Sequence, residues 1–203
     1  MPLHYDVTTI TVAAGQHGKA LSALERQLAD DRALLACWYS EIGALNRILI
    51  IREAADAAAT LERRQSVLAS SDPFNLGALL GKLEMDTYSA FEFVPPITPG
   101  AIGPIFEVRI YTLKHQGLTP TAELWRKSVP GRAALSPLLA AMSSLTGEVI
   151  RFMHIWPYKS FEERTSLRAK AIADGVWPPP GGPDHIATMQ SDIYLPASFS
   201  PTR

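Results

Sequence analysis

The segment Tyr5-Asp6-Val7-Thr8-Thr9-Ile10-Thr11-Val12 returns as Phe106-Glu107-Val108-Arg109-Ile110-Tyr111-Thr112-Leu113, 101 positions later (106 minus 5). Both copies are rich in the β-branched and aromatic residues that favour strands. A repeat of about 100 residues is close to the lower size of a domain, so the chain reads as a duplicated unit whose halves can share one core. A group lost from one copy can survive in the other, and a functional site has to be sought across both.

The elements between the two strands keep one order. Leu21, Leu24 and Leu28 recur at three and four residues, the spacing of a helix face. Residues 33–42 and 44–52 read as strands meeting at Gly43, residues 54–69 as a helix with Ala54, Ala57, Leu61 and Leu68 on one stripe, and residues 82–94 as a closing strand. After the linker Pro95-Pro96-Ile97-Thr98-Pro99-Gly100 the order repeats. Strand 105–113 leads to a helix from about Thr121 that Pro130-Gly131 should kink or end. A hairpin follows around Gly147, 104 positions after Gly43 (147 minus 43), then a helix over 160–173 and a strand over 186–195. The segment Trp177-Pro178-Pro179-Pro180-Gly181-Gly182-Pro183 can be neither helix nor central strand. It is a rigid loop, either a spacer or the lid of a cavity.

Two βαββαβ units in tandem predict an α+β fold of two ferredoxin-like repeats, 1–94 and 105–203, joined by a linker at 95–104. Each repeat is an antiparallel sheet with helices on one face, and the two sheets pack through their other faces as an α/β barrel. A monomer can then be complete, with sheet edges as a route to a homodimer.

Composition sets outer limits. The 203 residues carry 19 Lys and Arg against 20 Asp and Glu, without the basic excess that attracts phosphate backbones, so nucleic acid is not an expected partner. The lone cysteine, Cys37, cannot form an internal disulfide and reads as a small buried residue. No stretch approaches the length of an apolar membrane span, and the N-terminus lacks a basic segment followed by an apolar run. A cytoplasmic protein is the expectation. Phosphate loops, dinucleotide fingerprints and nucleophile elbows are missing from the sequence, so no cofactor is expected.

Strand alternation sorts the candidate site residues. Phe106, Val108 and Ile110 share one face, expected to meet the helices, and Glu107, Arg109, Tyr111 and Leu113 share the other, expected to face the opposing sheet. Buried Glu107 and Arg109 would have to pair. That pair is either a purely structural ion pair or one wall of a ligand site with Tyr111. His154 shares its face with Phe152 and Trp156, and is either a hydrogen-bonded packing residue or a functional group that exchanges a proton or serves as an axial metal ligand. The remaining histidines are scattered, so no metal site is expected. Arg47 and Arg151 recur 104 apart (151 minus 47), which points to a structural role repeated in both halves, pairing with carboxylates such as Asp86 or Glu84; binding of phosphate or carboxylate is the alternative.

The run from Phe106 to Lys114, followed by Gly117, resembles the opening strand of the NIPSNAP family: aromatic, Glu, apolar, Arg, any residue, Tyr, Thr, Leu. The hairpin segment Trp38-Tyr39-Ser40-Glu41-Ile42-Gly43-Ala44-Leu45-Asn46-Arg47 and the run His154-Ile155-Trp156, Tyr158, Ser160-Phe161-Glu162-Glu163-Arg164 resemble further motifs of that family. The resemblance spans nearly the whole chain as two copies and implies the dimeric α/β barrel fold. Relatives with that fold include cofactor-free quinol monooxygenases, isomerases and haem-binding enzymes, while animal NIPSNAP proteins are associated with mitochondria and vesicle traffic.

The copies have eroded in a complementary way. The first keeps Trp38, Glu41 and Asn46 but has Asp6, Thr8 and Ile10 where the second keeps Glu107, Arg109 and Tyr111; it has Ile50 and Arg52 where the second has His154 and Trp156. Two functions follow as expectations. One is binding or transformation of a small apolar or aromatic molecule in the barrel cavity. His154 would transfer a proton, Arg109 would stabilise an oxyanion and Tyr111 would orient the ligand, with Glu107, Trp156, Trp38, Asn46, Arg47 and Arg151 as further lining groups. The other is a non-enzymatic interaction or scaffold protein whose cavity is filled by side chains. In the first case, the second copy should line the cavity and the hairpin of the first should complete it.

Overall fold

The computed structural model describes residues 3–148 and 150–203. The first half runs β1 (His4–Val12), α1 (His17–Leu28), β2 (Leu34–Ile42), β3 (Arg47–Ala54), α2 (Ala57–Ala69) and β4 (Leu80–Ala90). The second runs β5 (Ile105–Leu113), α3 (Leu118–Ala133), β6 (Ala140–Ser144), β7 (Arg151–Tyr158), α4 (Phe161–Ala173) and β8 (Ile186–Pro196). This is the expected βαββαβ order, twice. Asp56 and Ser160 cap α2 and α4, their side chains accepting from the N–H groups of Ala59 at 2.9 Å and Glu163 at 3.1 Å. Pro130 does not end α3 at once; it lies in the last turn and the helix closes three residues later.

All strand pairs are antiparallel, and the order β1-β3-β2-β8-β5-β7-β6-β4 closes on itself because β4 returns to β1. The halves join where the last strand of each pairs with the hairpin strand of the other, β4 with β6 and β8 with β2. Closure removes the free sheet edges that had suggested a route to a dimer.

The barrel interior is packed with apolar side chains from all eight strands, among them Tyr5, Trp38, Leu49, Tyr88, Phe106, Val108, Met142, Ile155 and Tyr194. Trp38 stacks on Phe106 at 4.1 Å across the two halves, and its indole N–H donates to the Thr202 carbonyl at 2.9 Å. The four helices cover the outside, each pair with its own layer of core. This reverses the expected faces of β5. Phe106, Val108 and Ile110 point into the barrel, whereas Tyr111 and Leu113 pack outward with Trp125 and Val129 of α3, and Glu107 meets arginines of α4. The strand is buried on both sides, so alternation alone could not choose between them. The helix-free interior takes the apolar set, and the charged set goes where helix guanidiniums can pair with it.

The hairpin glycines also hold the halves together. Gly43 has φ 104° and Gly147 φ 70°, and a Cβ on either would overlap a carboxylate from the other half, Asp192 or Asp86 respectively. Gly15 also has a positive φ, 72°, but faces open space. Gly15→Ala is therefore expected to cost only backbone strain, about 1 kcal/mol, while Gly43→Ala should cost about 1–3 kcal/mol more because Asp192 must move as well. Urea denaturation of both variants checks the difference; equal losses would mean that the interface absorbs the added methyl.

Candidate functional site

Glu107, Arg109 and Tyr111 come together on the outer face of β5. Glu107 is 0% exposed, and its Oε1 accepts from Arg109 Nη1 at 2.8 Å, Arg164 Nη2 at 2.6 Å and the Ser191 hydroxyl at 2.9 Å. Its other oxygen lies 3.7 Å from Arg168 Nη1. Burial pushes this carboxyl upward, but the guanidiniums of Arg164, Arg109 and Arg168 outweigh burial and hold it down at about 2. The expected Glu107–Arg109 pair exists, enlarged by two arginines of α4. Arg109 Nε also donates to Tyr111 Oη at 2.8 Å, so the phenol accepts from Arg109 and keeps its own proton to donate elsewhere.

Next to this network is a pocket of about 290 Å³ between β5, β8, α3, α4 and the proline-rich loop. Arg109, Tyr111, Thr121 and Arg168 supply its polar wall. Trp125, Trp177, Pro178, Pro179, Ile172, Ile186 and Met189 make the rest apolar. Trp177 anchors the loop, meeting Trp125 edge-on at 4.6 Å and Trp156 at 5.6 Å. Of the two readings of residues 177–183, the loop is the one that covers a cavity.

His154 lies behind the pocket wall. It is buried among the rings of Tyr111, Trp125 and Phe152, and its Nδ1 accepts from the Trp156 indole N–H at 2.7 Å. That acceptor role fixes the neutral Nε2–H tautomer. Burial, helped by the charges of Arg109 and Arg168, holds His154 well below its ordinary range. Its Nε2 has no hydrogen-bond partner. It is not among the residues that line the pocket and packs behind Tyr111, ring centroids 4.8 Å apart.

The other expected lining groups are dispersed. Trp156 supports Trp125 and Trp177 and carries the Arg132 guanidinium over its ring at 4.4 Å. Trp38 belongs to the barrel interior, and Asn46 is a turn residue with φ 58°. Arg151 pairs with Asp86 at 2.7 Å, the structural pairing expected for it, and Arg47 opens β3 beside the buried hydroxyl of Tyr194. Glu84 pairs instead with Lys82 at 2.9 Å. The first-half hairpin therefore does not complete the pocket, which is lined by second-half residues alone. Cys37 is buried as expected, and burial pushes its thiol up to about 12.

Sequence reasoning missed Thr121, Trp125, Arg164, Arg168 and the loop tryptophan as site residues. A signal for two of them was available, because Arg164 and Arg168 are four apart on a helix and so share one face. At the matching place in the first half the space is filled. Ile10 and Leu24 stand 101 positions before Tyr111 and Trp125, Ile50 stands 104 before His154, and all three belong to one packed apolar cluster.

The outer site occupies the part of the chain that a family model recognises, since residues 106–201 match the model for NIPSNAP. Residues 106–201 form a NIPSNAP domain. Protein NipSnap of Drosophila melanogaster is 23% identical over 183 residues, covering 84% of this chain and 65% of its own length; the NipSnap homolog of Dictyostelium discoideum is 25% identical over 149 residues, covering 70% and 65%. The chain thus spans about 65% of the length of these curated relatives. An anthrone oxidase-like protein aligns over 97% of this chain and 92% of its own with a TM-score of 0.67 at 11% identity. A candidate monooxygenase from Lactobacillus acidophilus aligns over 96% and 94% with a TM-score of 0.65 at 12% identity. At such identities the likeness establishes the fold, and both alignments take in the first repeat as well as the NIPSNAP domain. Among the described residues no helix is long and apolar enough to cross a membrane.

Proposed function

We propose that the NIPSNAP domain binds a small aromatic molecule in its outer pocket, in a protein whose barrel interior is structural. The observation that carries this reading is the pocket itself: about 290 Å³, near the lower end of the usual range for small-molecule sites, with aromatic and aliphatic walls and a few converging polar groups. Ile172 and Met189 at its rim are each 62% exposed, apolar surface that an apolar ligand would cover. If the bound molecule reacts, Arg109 and the Tyr111 hydroxyl are the groups positioned to stabilise an oxyanion on it, as in monooxygenase or isomerase chemistry that proceeds through an enolate or phenolate. The buried, neutral His154 is assigned a supporting role rather than the proton transfer expected of it. The filled barrel interior is the observation that favours the alternative, a non-enzymatic interaction protein.

A thermal-shift series separates the two. Quinones, flavonoid-like aromatics and naphthalene derivatives would be tested on the wild type and on Thr121→Leu, which fills the pocket while removing a buried hydroxyl that has no partner. A ligand at a hundredfold excess over Kd should add about 2.7 kcal/mol, several degrees of Tm for a chain of this size, and Thr121→Leu should abolish the shift. If no aromatic raises Tm, the interaction reading stands instead.

A further inference from the structure

The charges around Glu107 do not balance. One carboxylate faces three guanidiniums, those of Arg109, Arg164 and Arg168, in salt bridges of 2.8, 2.6 and 3.7 Å. A fourth, Arg132, is buried nearby with neutral partners only, the Ser136 hydroxyl at 2.6 Å and the Tyr158 hydroxyl at 3.2 Å. Four cations against one anion leave an excess of three positive charges; Arg132 is buried and Arg109 nearly so, while the side chains of Arg164 and Arg168 keep 26% and 34% of their surface exposed. Such an excess is costly to bury unless something compensates it.

The four differ in how fully they are engaged. Arg164 makes the shortest hydrogen bond to Glu107 and does not line the pocket. Arg109 is committed through Nη1 to Glu107 and through Nε to Tyr111, yet it lines the pocket. Arg168 lines the pocket too, and its contact with Glu107 is too long for a hydrogen bond. It is the cation with capacity to spare. Thr121 lines the same space; it is only 2% exposed, and its buried hydroxyl has no hydrogen-bond partner. A buried hydroxyl left unpaired costs free energy that a ligand oxygen would recover.

Resting on the reading that this pocket takes an aromatic molecule, we infer that the molecule is an anion, an aromatic carboxylate or phenolate whose acidic oxygens meet Arg168, Arg109 and the Thr121 hydroxyl while its ring lies against Trp125 and Trp177. The arrangement divides the two parts of such a ligand. Charge is met at the β5–α4 side, where planar guanidiniums can hold a carboxylate. The ring is met on the side of the loop and α3, where the indoles supply apolar area. The same positive field helps to keep His154 uncharged behind the wall, which leaves the pocket's cationic character to arginine at all ordinary pH values.

The test compares 2-naphthoate with its neutral counterpart 2-naphthamide by isothermal titration calorimetry, on the wild type and on Arg168→Met. That substitution keeps much of the side chain's apolar length and breaks no hydrogen bond, so the fold should survive, as circular dichroism would verify. The wild type should bind naphthoate at least tenfold more tightly than naphthamide. Arg168→Met should erase most of that preference, weakening naphthoate binding by a much larger factor than naphthamide binding. Equal binding of acid and amide, or an equal loss of both in Arg168→Met, would overturn the anion assignment while leaving the aromatic pocket intact. Binding of neither compound would remove both.

Discussion

Glu107→Ala is expected to cost the protein about 3–5 kcal/mol, the usual penalty for removing one partner of a buried ion network, which for a chain of this length is a fall in Tm of roughly 6–20 °C. The loss is large because the carboxylate is the common acceptor of Arg109, Arg164 and the Ser191 hydroxyl, and its removal leaves mutually repelling guanidiniums in a partly desolvated space. The first repeat supplies an internal control. Asp6 stands where Glu107 does, is equally buried, and pairs with a single arginine, Arg63 at 3.0 Å, so that its removal leaves one guanidinium unpaired rather than a mutually repelling cluster. Asp6→Ala should therefore cost less, about 1.5–3 kcal/mol, the net value of a charged hydrogen bond. Guanidinium chloride denaturation followed by circular dichroism measures both. Equal losses would show that the extra arginines of the second repeat do not depend on Glu107.

That contrast also marks how far the sequence could be read. The duplication, the order of elements and the hairpin glycines follow from local patterns: β-branched runs, a 3.6-residue period, and turn residues at a constant offset; the closing pairs β4–β6 and β8–β2, which leave no free edge, do not. The Arg151–Asp86 pair was accessible for the same reason, since an arginine repeated at equivalent positions suggests a role that symmetry preserves. The direction of β5 was not accessible. In a half-exposed strand the polar face marks the solvent, but β5 has a packed barrel on one side and helices on the other, so burial constrains both faces and alternation labels neither. What decides is the partner of Glu107, and that partner comes from α4, 57 positions further along the chain (164 minus 107). The same is true of the pocket. Its ring-bearing walls, Trp125 and Trp177, lie on a helix and a proline-rich loop whose sequence patterns predict packing or spacing, and only tertiary structure brings them beside Arg109.

Acid should destabilise this protein in two stages, and His154 should set the first. Its neutral imidazole accepts the Trp156 N–H, and protonating Nδ1 would place two donors against each other inside a site already facing the charges of Arg109 and Arg168. The folded-state value lies well below that of the unfolded chain, about 6.5. The unfolded state therefore takes up a proton first as pH falls, and stability is full above about pH 6.5 and declines below it by about 1.4 kcal/mol per pH unit. Glu107 adds the second stage. Its folded value of about 2 is below its ordinary 4.5, so its contribution is complete above about 4.5 and is lost as pH falls from there toward 2, roughly 3 kcal/mol in all. His154→Phe should flatten the stability profile between pH 6.5 and 4.5 while retaining the steeper fall below it, and Glu107→Gln should do the opposite. Tm followed against pH in the three proteins tests the assignment. A His154→Phe profile parallel to the wild type throughout would mean that the imidazole can be protonated in place, and that the wall behind Tyr111 is wetter than its packing indicates.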